Sequence, residues 1–351
     1  MLWLNHAGFG APTAQTRAAI SAHIAREDEV GFLQAAEDAA PTLEAGLQTL
    51  ADLIGCSREH VAFTTTTCAN WQAALSRTPL AGKKLLLARH EWGDNIVFTE
   101  QLAAMTGATV EQLDHLTDPS DFSPWQSAIT DDVAVIAVTA TTSVSGMVCP
   151  IDGVAALSRP DDALILVDAA QAYGRVPMAM FRDADIVVGT GRKWLRGPRG
   201  VAILKFSERA ERVLGLTAAK FIPGDQPVPQ RIGLCAAIAH YAAEGEEVVH
   251  RAIAERSDIL ANTLTAAGLA ILGGPTRAPG TVTVMIPDER KPAVDALLAA
   301  EGVIAKWPTP DTEEPWFPVS GPGIALRISP HVDTPADDLA KFANHLVEVA
   351  A

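Results

Sequence analysis

The sequence has 351 residues, of which 42 are acidic and 27 are basic, so its formal net charge is −15 at pH 7. A chain of this length can bury the core of one large domain and still form a second, smaller one. The acidic balance repels polyanions and argues against nucleic-acid binding. No stretch approaches the roughly 20 uninterrupted apolar residues of a membrane-spanning helix, and Met1 to Leu4 lack the basic start of a signal peptide, so we expect a cytoplasmic protein.

The cysteines are scattered along the chain, without a CxxC pair or a cluster with histidine. They are Cys56, Cys68, Cys149 and Cys235. We therefore expect neither a disulfide framework nor a metal site.

Taken in chain order, helical spacing of apolar residues first appears from Leu33 to Ile54 and ends at Gly55, a usual helix stop. From about residue 60 to 206, short β-rich runs alternate with helical stretches, which is typical of a parallel sheet covered by helices. Several runs are almost entirely apolar, as expected for strands buried on both faces. The predicted strands of this one central sheet are Val61–Phe63, Lys84–Ala88, Val133–Thr139, Leu164–Asp168, Asp185–Gly189 and Val201–Lys205.

After the Pro/Gly-rich turn at 222–227, two helical segments near 231–245 and 249–267 lead into a different pattern. This pattern predicts a compact α+β module. Its elements are strand 281–286, helix 291–300, strand 303–306, strand 324–329 and helix 335–349. The long loop at 307–323 holds five prolines and is of a kind that often lines a site.

These patterns predict three parts of the chain. Residues 1–20 form an N-terminal segment that joins the small domain and the site, residues 21–245 a large domain, and residues 246–351 a small C-terminal α+β domain. The large domain carries the segments that bear chemistry.

The stretch from Val188 to Gly200 follows a buried strand and is dense in cations and glycines. A lysine at position 193 can form an imine with an aldehyde cofactor, while Thr190 and Arg192 can bind an anionic group nearby. The same residues are also compatible with a basic surface turn. Two other segments of the chain help to decide between a cofactor site and a surface turn.

A carboxylate appears at the carboxyl end of the apolar strand 164–168, where ligands of open α/β sheets bind. Asp168 can keep a pyridinium nitrogen protonated, so that the ring accepts electrons, and Gln171 can donate to the phenolic oxygen of that ring. Asp168 can equally cap a helix.

The third segment, Phe63–Asn70, runs from a strand end into a helix start rich in hydroxyl groups. Free amides and the helix dipole make such a place a phosphate site. A threonine cap without a ligand is the alternative. The order of the three segments along the chain favours the phosphate site.

With these residues the chain resembles the class V aminotransferase-type enzymes of pyridoxal-phosphate fold type I. The resemblance is carried by Asp168–Gln171 and Arg192–Gly200 and extends from Leu4–Gly8 to Ala325–His331. It implies an α/β fold with a mostly parallel central sheet, helices on both faces and a smaller α+β domain. It also implies pyridoxal 5'-phosphate as the cofactor and a homodimer, because the family builds each site at a subunit interface.

The resemblance implies a role for each matching position. Lys193 is the Schiff-base lysine and general acid/base, Asp168 the partner of the ring nitrogen, and Gln171 the partner of the phenolic oxygen. The residues implied around the phosphate are Thr66, Thr67, Cys68 and Thr190, and Arg192 is also expected to contact the cofactor. The family stacks a histidine or another flat side chain on the ring, and here we choose Trp92, with His90 as the competing choice.

One departure concerns the phosphate. Many relatives carry Gly-Thr after the long crossing helix, and the threonine reaches the phosphate of the neighbouring subunit, whereas this chain has Gly224-Asp225. Because an aspartate repels phosphate, either Arg231 takes over that contact or the cross-subunit contact is absent.

For the substrate, Arg327 matches the arginine that clamps the α-carboxylate with its bidentate fork. A structural arginine at the edge of the small domain is the alternative. Asn5, His6 and Ser143 lie where the family contacts the substrate.

Within the class, the narrower likeness is to the sulfoxide lyase of ergothioneine biosynthesis. It is carried by Glu29–Gly31, Ala35–Glu37, Ala40–Pro41 and Arg192–Trp194. Cysteine desulfurases need a nucleophilic cysteine shortly before the carboxylate arginine, and residues 300–330 contain none. We therefore expect β-elimination on an S-substituted cysteine or cysteine sulfoxide, which releases pyruvate and ammonia. Transamination or epimerisation of an amino acid, and a binding protein that has lost the chemistry, are the alternatives.

Overall fold

The structure is a computed structural model that describes residues 1–116, 118–221, 226–316 and 323–350. Its strands are β1 (Leu2–Trp3), β2 (Val61–Thr64), β3 (Lys84–Ala88), β4 (Thr109–Leu113), β5 (Val133–Thr139), β6 (Leu164–Asp168), β7 (Ile186–Thr190), β8 (Ala202–Phe206), β9 (Val282–Ile286), β10 (Val303–Ile304) and β11 (Ile324–Ile328). Its α-helices are α1 (Ala14–Val30), α2 (Phe32–Ile54), α3 (Thr67–Arg77), α4 (Gly93–Thr106), α5 (Ser123–Ala128), α6 (Ile151–Ala155), α7 (Glu208–Leu214), α8 (Val228–Glu244), α9 (Glu246–Ala266), α10 (Lys291–Ala300), α11 (Pro310–Glu313) and α12 (Ala336–Ala350). Across these ranges, no helix combines the length and apolar character needed to cross a bilayer.

Seven strands form the central sheet in the order β2-β8-β7-β6-β5-β3-β4. The neighbouring pairs from β4 to β7 are parallel, whereas β8 is antiparallel to both β7 and β2. The predicted α/β class with a mostly parallel sheet is confirmed. Parallel strands place their carboxyl ends along one edge, and that edge is where a ligand site is expected.

The strands are buried on both faces because each face is covered by helices. Leu86 and Val138 belong to a core shared with α2 and α8, and the alternate residues Leu85 and Val135 belong to a second core shared with α3 and α4. Side chains that alternate between two apolar cores explain the almost continuous apolar runs in the sequence.

The edge strand β4 and the helix α1 are among the elements that were absent from the sequence prediction. The edge strand β4 has only one buried residue, Leu113, because one of its edges and much of its surface face solvent. Helix α1 buries only Thr16 and His23, so its apolar residues do not mark a helical stripe. Packing against neighbouring elements, and not an amphipathic pattern of residues, stabilises both.

The small domain has a separate core between its strands and the helices α9, α10 and α12. In it, β9 pairs antiparallel with β11, and β1 pairs parallel with β10. Helix α9 places Val249 and Ile253 in a large-domain core and Leu260 and Leu264 in the small-domain core. The predicted boundary at 245/246 coincides with the start of this helix and stays a prediction.

The N-terminal segment passes between the small domain and the large one. Asn5 forms a bridge with Ser329, and the carbonyl of Ala7 accepts a hydrogen bond from Gln171 Nε2 at 2.9 Å. The backbone amide of Gly10 donates to the carbonyl of Arg192 at 2.7 Å. This segment therefore contacts the loops that follow β6 and β7.

Helix α3 is anchored by one large side chain. Trp71 is fully buried between α3 and α4, and its Nε1 donates to Thr99 Oγ1 at 3.3 Å. We expect Trp71→Ala to lower the free energy of unfolding by about 3–5 kcal/mol, because it leaves a cavity in this core. Urea denaturation of the two proteins checks this value.

The matched control is Gln72→Ala, at the exposed neighbouring position of the same helix, which we expect to change stability by less than about 0.5 kcal/mol. Equal unfolding free energies for the two variants would show that α3 is not anchored by Trp71.

Candidate active site

A cavity of about 430 Å³ lies at the carboxyl ends of β5, β6 and β7. Its walls include Ser143 after β5, Gln171 after β6 and Lys193 after β7, together with the first residues of α3. This is the edge of a parallel sheet at which α/β proteins bind ligands.

The structure brings ten of the predicted site residues together around this cavity. They are Thr66, Thr67, Cys68, Trp92, Ser143, Asp168, Gln171, Thr190, Arg192 and Lys193. The four predicted residues that do not line it are Asn5, His6, Arg231 and Arg327. The individual roles of all of them stay predictions.

Asp168 is a buried carboxylate at the last position of β6. Its Oδ1 accepts from the backbone amide of Ala170 at 2.7 Å, and its Oδ2 accepts from Asn95 Nδ2 at 3.0 Å. Burial raises its pKa, while these hydrogen bonds and the charge of Lys193 act in the opposite direction. No helix begins at this point of the described chain, so the helix-cap alternative for Asp168 is wrong.

A second buried carboxylate, Glu91, lies close behind Asp168. Its Oε1 accepts from Asn95 Nδ2 at 3.0 Å and from the backbone amide of Trp92 at 2.8 Å, and Thr139 donates its hydroxyl to the same oxygen. Burial and the neighbouring Asp168 raise the pKa of Glu91 to about 7. The side-chain amide of Asn95 thus lies between two carboxylates and donates a hydrogen bond to each.

Sequence reasoning did not identify Glu91 or Asn95. Glu91 lies just before α4 and Asn95 in its first turn, shortly after the end of β3. Their place beyond a buried strand is the signal the sequence offered, but a glutamate before a helix start is usually solvated.

Lys193 lies on the loop after β7, half-buried at the cavity wall. Burial, together with the charge of nearby Arg192, lowers the pKa of its amine to about 7 against the opposing effect of Asp168. A Cβ at Gly10 would lie 2.0 Å from the carbonyl oxygen of Lys193, so the N-terminal segment packs directly on this loop. A lysine with a lowered pKa is a nucleophile at neutral pH.

Gln171 has its amide orientation set by three contacts. Its Nε2 donates to the carbonyl of Ala7 and, at 3.3 Å, to Ser143 Oγ, and its Oε1 accepts from Trp194 Nε1 at 3.1 Å. Because the indole N–H can only donate, the amide nitrogen of Gln171 faces the Ser143 side of the cavity.

The start of α3 carries donors suited to an anion. Thr66 caps the helix, with its Oγ1 accepting from Ala69 N at 3.0 Å. The Thr67 hydroxyl is buried and makes no hydrogen bond within the described residues. Thr190, Arg192 and Arg199 line the same cavity, and Arg199 is a cation that sequence reasoning missed. Helix amides, hydroxyls and cations together fit a phosphate group.

Both candidates for the stacking side chain line the cavity. Trp92 is half-buried, with its Nε1 3.3 Å from Asp94 Oδ2, whereas His90 is buried with its pKa lowered by burial to about 4. The choice of Trp92 over His90 stays a prediction.

Arg327 is fully buried behind Ser143. Its Nη1 donates to the carbonyl of Ser143 at 2.9 Å and to Ser143 Oγ at 2.8 Å, and lies 3.8 Å from Glu313 Oε2. Its Nε makes no hydrogen bond among the described residues. The guanidinium therefore keeps a donor for a further carboxylate and touches the cavity through Ser143.

The remaining predicted residues lie away from the cavity. His6 is buried against His331, with ring centroids 4.8 Å apart, and its Nδ1 is 3.1 Å from the carbonyl of Ser329. Arg231 donates from Nη2 to the carbonyl of Phe63 at 2.7 Å, which holds the end of β2. Gly224 and Asp225 lie outside the described residues.

One group of side chains in the described part of the chain has ligand atoms close enough to hold a metal ion. The ligand atoms of His6, His331 and Asp333 lie within 4.8 Å of one another. Asp333 already pairs with Arg196 Nη2 at 2.7 Å, so its charge is compensated without an ion.

Comparisons with known proteins show the family of the chain. The family model for aminotransferase class-V matches residues 20–342. The chain is 31% identical, over an alignment of 368 positions, to a probable hercynylcysteine sulfoxide lyase of Mycobacterium tuberculosis (strain CDC 1551 / Oshkosh), covering 99% of this chain and 90% of the relative. It is 26% identical to a probable cysteine desulfurase of Halalkalibacterium halodurans, over 71% of this chain and 68% of the relative.

Solved structures show the same fold. A complex of the cystine C-S lyase C-DES with its product cysteine persulfide has a TM-score of 0.86 at 18% identity. The superposition covers 99% of this chain and 98% of the lyase chain. The apo cysteine desulfurase of Thermococcus onnurineus NA1 has a TM-score of 0.85 at 18% identity, covering 99% and 94%. The chain belongs to the aminotransferase class-V family of pyridoxal-phosphate enzymes.

Pyridoxal 5'-phosphate is the cofactor of this family, and the residues around the cavity fit it. The unpaired hydroxyl of Thr67 at a helix start suits the phosphate, buried Asp168 suits a protonated ring nitrogen, and Lys193 suits the aldehyde. All three residues line the same cavity.

The lowered pKa of Lys193 has a consequence for cofactor attachment. Only the neutral amine attacks an aldehyde, and the neutral form dominates above the pKa, so the rate of covalent attachment to the cofactor-free protein is expected to rise with pH and level off above about 7. An ordinary lysine would keep the rate rising to about pH 10. Stopped-flow measurement of the visible absorbance of the attached cofactor checks this profile.

In that experiment, Lys193→Ala should give no absorbance of attached cofactor, while Lys220→Ala, at an exposed position, should follow the parent protein. A rate that continues to rise well beyond pH 7 would contradict the low pKa of Lys193.

Proposed function

We propose that this protein is a carbon–sulfur lyase that uses pyridoxal phosphate to cleave an S-substituted cysteine or cysteine sulfoxide by β-elimination, releasing pyruvate and ammonia. The observation that carries the proposal is the near-full-length relation, at 31% identity, to a protein named as a probable hercynylcysteine sulfoxide lyase. Lys193 and Asp168 on the wall of one cavity, with Arg327 in contact with the lining residue Ser143, support it.

The chain's own residues divide the work of such a reaction. Pyridoxal phosphate, when bound, supplies an electron sink for the charge that develops at the substrate Cα. Lys193, with a pKa near 7, can take the α-proton at neutral pH, and Asp168 keeps a proton on the ring nitrogen. Arg327, with its spare donor, and Ser143 hold the α-carboxylate.

Persulfide chemistry finds little support in the cavity. The cysteine that lines it is Cys68, at the start of α3, where the phosphate is expected rather than the substrate sulfur. Burial raises the pKa of Cys68, which disfavours the thiolate that a nucleophile requires. Residues 300–330, which precede and include Arg327, contain no cysteine.

The test is product analysis with an S-substituted cysteine sulfoxide and the corresponding thioether. We expect the purified protein, loaded with pyridoxal phosphate, to release equal amounts of pyruvate and ammonia from at least one of them, and Lys193→Ala to release none. Coupled assays for pyruvate and for ammonia measure the two products independently.

The control variant is Cys68→Ala, expected to retain turnover within about tenfold, because loss of a nucleophile costs orders of magnitude. Alanine and a persulfide in place of pyruvate would identify a desulfurase. Cofactor converted to its amine form, without pyruvate, would identify a transaminase. Either result would overturn the lyase proposal.

A further inference from the structure

Two adjacent carboxylates lie where α11 ends and contact the Ser143–Val144 segment, and the second of them, Glu314, lines the cavity. Glu313 and Glu314 are 4% and 1% exposed. Neither was singled out in the sequence, because acidic residues in a proline-rich loop are usually solvated. Two buried carboxyl groups next to a cavity are candidates for a functional role.

Glu313 is fully paired. Its Oε1 accepts from Lys306 Nζ at 2.6 Å and from the amide of Thr309 at 3.2 Å, and its Oε2 accepts from Ser143 Oγ at 2.9 Å. Arg327 adds its charge at 3.8 Å. Although burial acts to raise the pKa of Glu313, these partners bring it below its usual range, so the group is ionised.

Glu314, in contrast to Glu313, is only partly hydrogen-bonded among the described residues. Its Oε1 accepts from the backbone amide of Val144 at 2.5 Å, and its Oε2 makes no hydrogen bond within the described residues. Burial, with the negative charge of Glu313 beside it, raises its pKa to about 7, against the opposing effects of Val144 N–H and Arg327. Two neighbouring carboxyl groups with pKa values moved in opposite directions are typical of a paired base and acid.

The position of Glu314 places it on the substrate side of the cavity. Glu314 lines the cavity, and its partner Val144 follows Ser143, the residue that Arg327 contacts. The expected phosphate donors, by contrast, belong to a different segment, the start of α3. A carboxyl group beside the α-carboxylate subsite lies within reach of the groups on Cβ of a bound amino acid.

We propose that Glu314 is the general acid that protonates the sulfur as it leaves Cβ. This inference rests on the proposed lyase function. The Cβ–S bond breaks and the sulfur takes its electron pair and the Glu314 proton, while the pair left at Cα by the proton that Lys193 removes forms the Cα–Cβ double bond. Glu314 is left as a carboxylate, and the proton gained by Lys193 balances the one that Glu314 gives up.

The proton transfer has a favourable direction for ordinary thiols. A cysteine-like thiol has a pKa of about 8.5, above that of Glu314, so a departing alkylthiolate accepts the proton readily. A thiolate whose thiol is strongly acidic leaves without help. Dependence on the leaving group therefore separates an acid catalyst from a residue that only shapes the cavity.

The experiment compares S-ethylcysteine, a poor leaving group, with S-(4-nitrophenyl)cysteine, a good one, in the cofactor-loaded enzyme. We expect Glu314→Gln to lower kcat/KM for the ethyl substrate by about 100-fold or more and for the nitrophenyl substrate by less than about threefold. With the unchanged enzyme, kcat/KM for the ethyl substrate relative to the nitrophenyl substrate should fall as pH rises through about 7, because Glu314 loses its proton there.

Asp311→Asn is the matched control, because it makes the same acid-to-amide replacement at an exposed position of α11, outside the cavity. It should change kcat/KM for neither substrate. A second readout needs no turnover: infrared difference spectra of the cofactor-free protein should show carboxylic acid absorbance that titrates near pH 7, from Glu91 and Glu314 together, and that falls by about half in Glu314→Gln. Equal losses for both substrates, or an unchanged infrared titration, would overturn the acid role. If the unchanged enzyme releases pyruvate from neither substrate, the failure lies in the proposed lyase function instead.

Discussion

A carboxylate buried at the end of β6 is the constraint around which this site is built. An ion cannot be placed in an apolar interior unless hydrogen bonds or opposite charges compensate its lost hydration. Asp168 obtains that compensation from the amides of Ala170 and Asn95 and from the charge of Lys193. Asn95 is in turn held by Glu91, so the helix α4 is tied to the sheet through one amide group. A cationic ring nitrogen is the natural partner for such a carboxylate.

Burial also explains why three groups of the cavity region have pKa values near 7. Desolvation lowers the pKa of Lys193 and raises those of Glu91 and Glu314 toward the same range. Groups with such values exchange protons at neutral pH at little cost in free energy. Glu313 and Arg327 differ because they pair with each other and with Ser143, which gives the site one charged, rigid corner next to groups that can titrate.

Part of the molecule could be predicted from the residues because the relevant interactions are local along the chain. The bounds of β3, β5 and β6 agree residue for residue with the apolar runs, since strands buried on both faces leave an uninterrupted pattern. Lys193, Asp168 and the start of α3 were predicted because each directly follows such a strand. The strand β4 was not, because an edge strand facing solvent has no continuous apolar run.

The sequence by itself determined the α/β class and predicted half of the residues that line the cavity at the carboxyl edge of the sheet, because strands buried on both faces leave continuous apolar runs and the site segments lie at the ends of those runs. Only the tertiary structure decided which distant groups meet. Glu91 and Asn95 join Asp168, and Glu313 and Glu314 reach Ser143 and Val144 from 170 positions away. It also turned His6 and Arg231 away from the cavity. A carboxylate's pKa depends on which neighbours surround it in three dimensions, and no local pattern of residues records that.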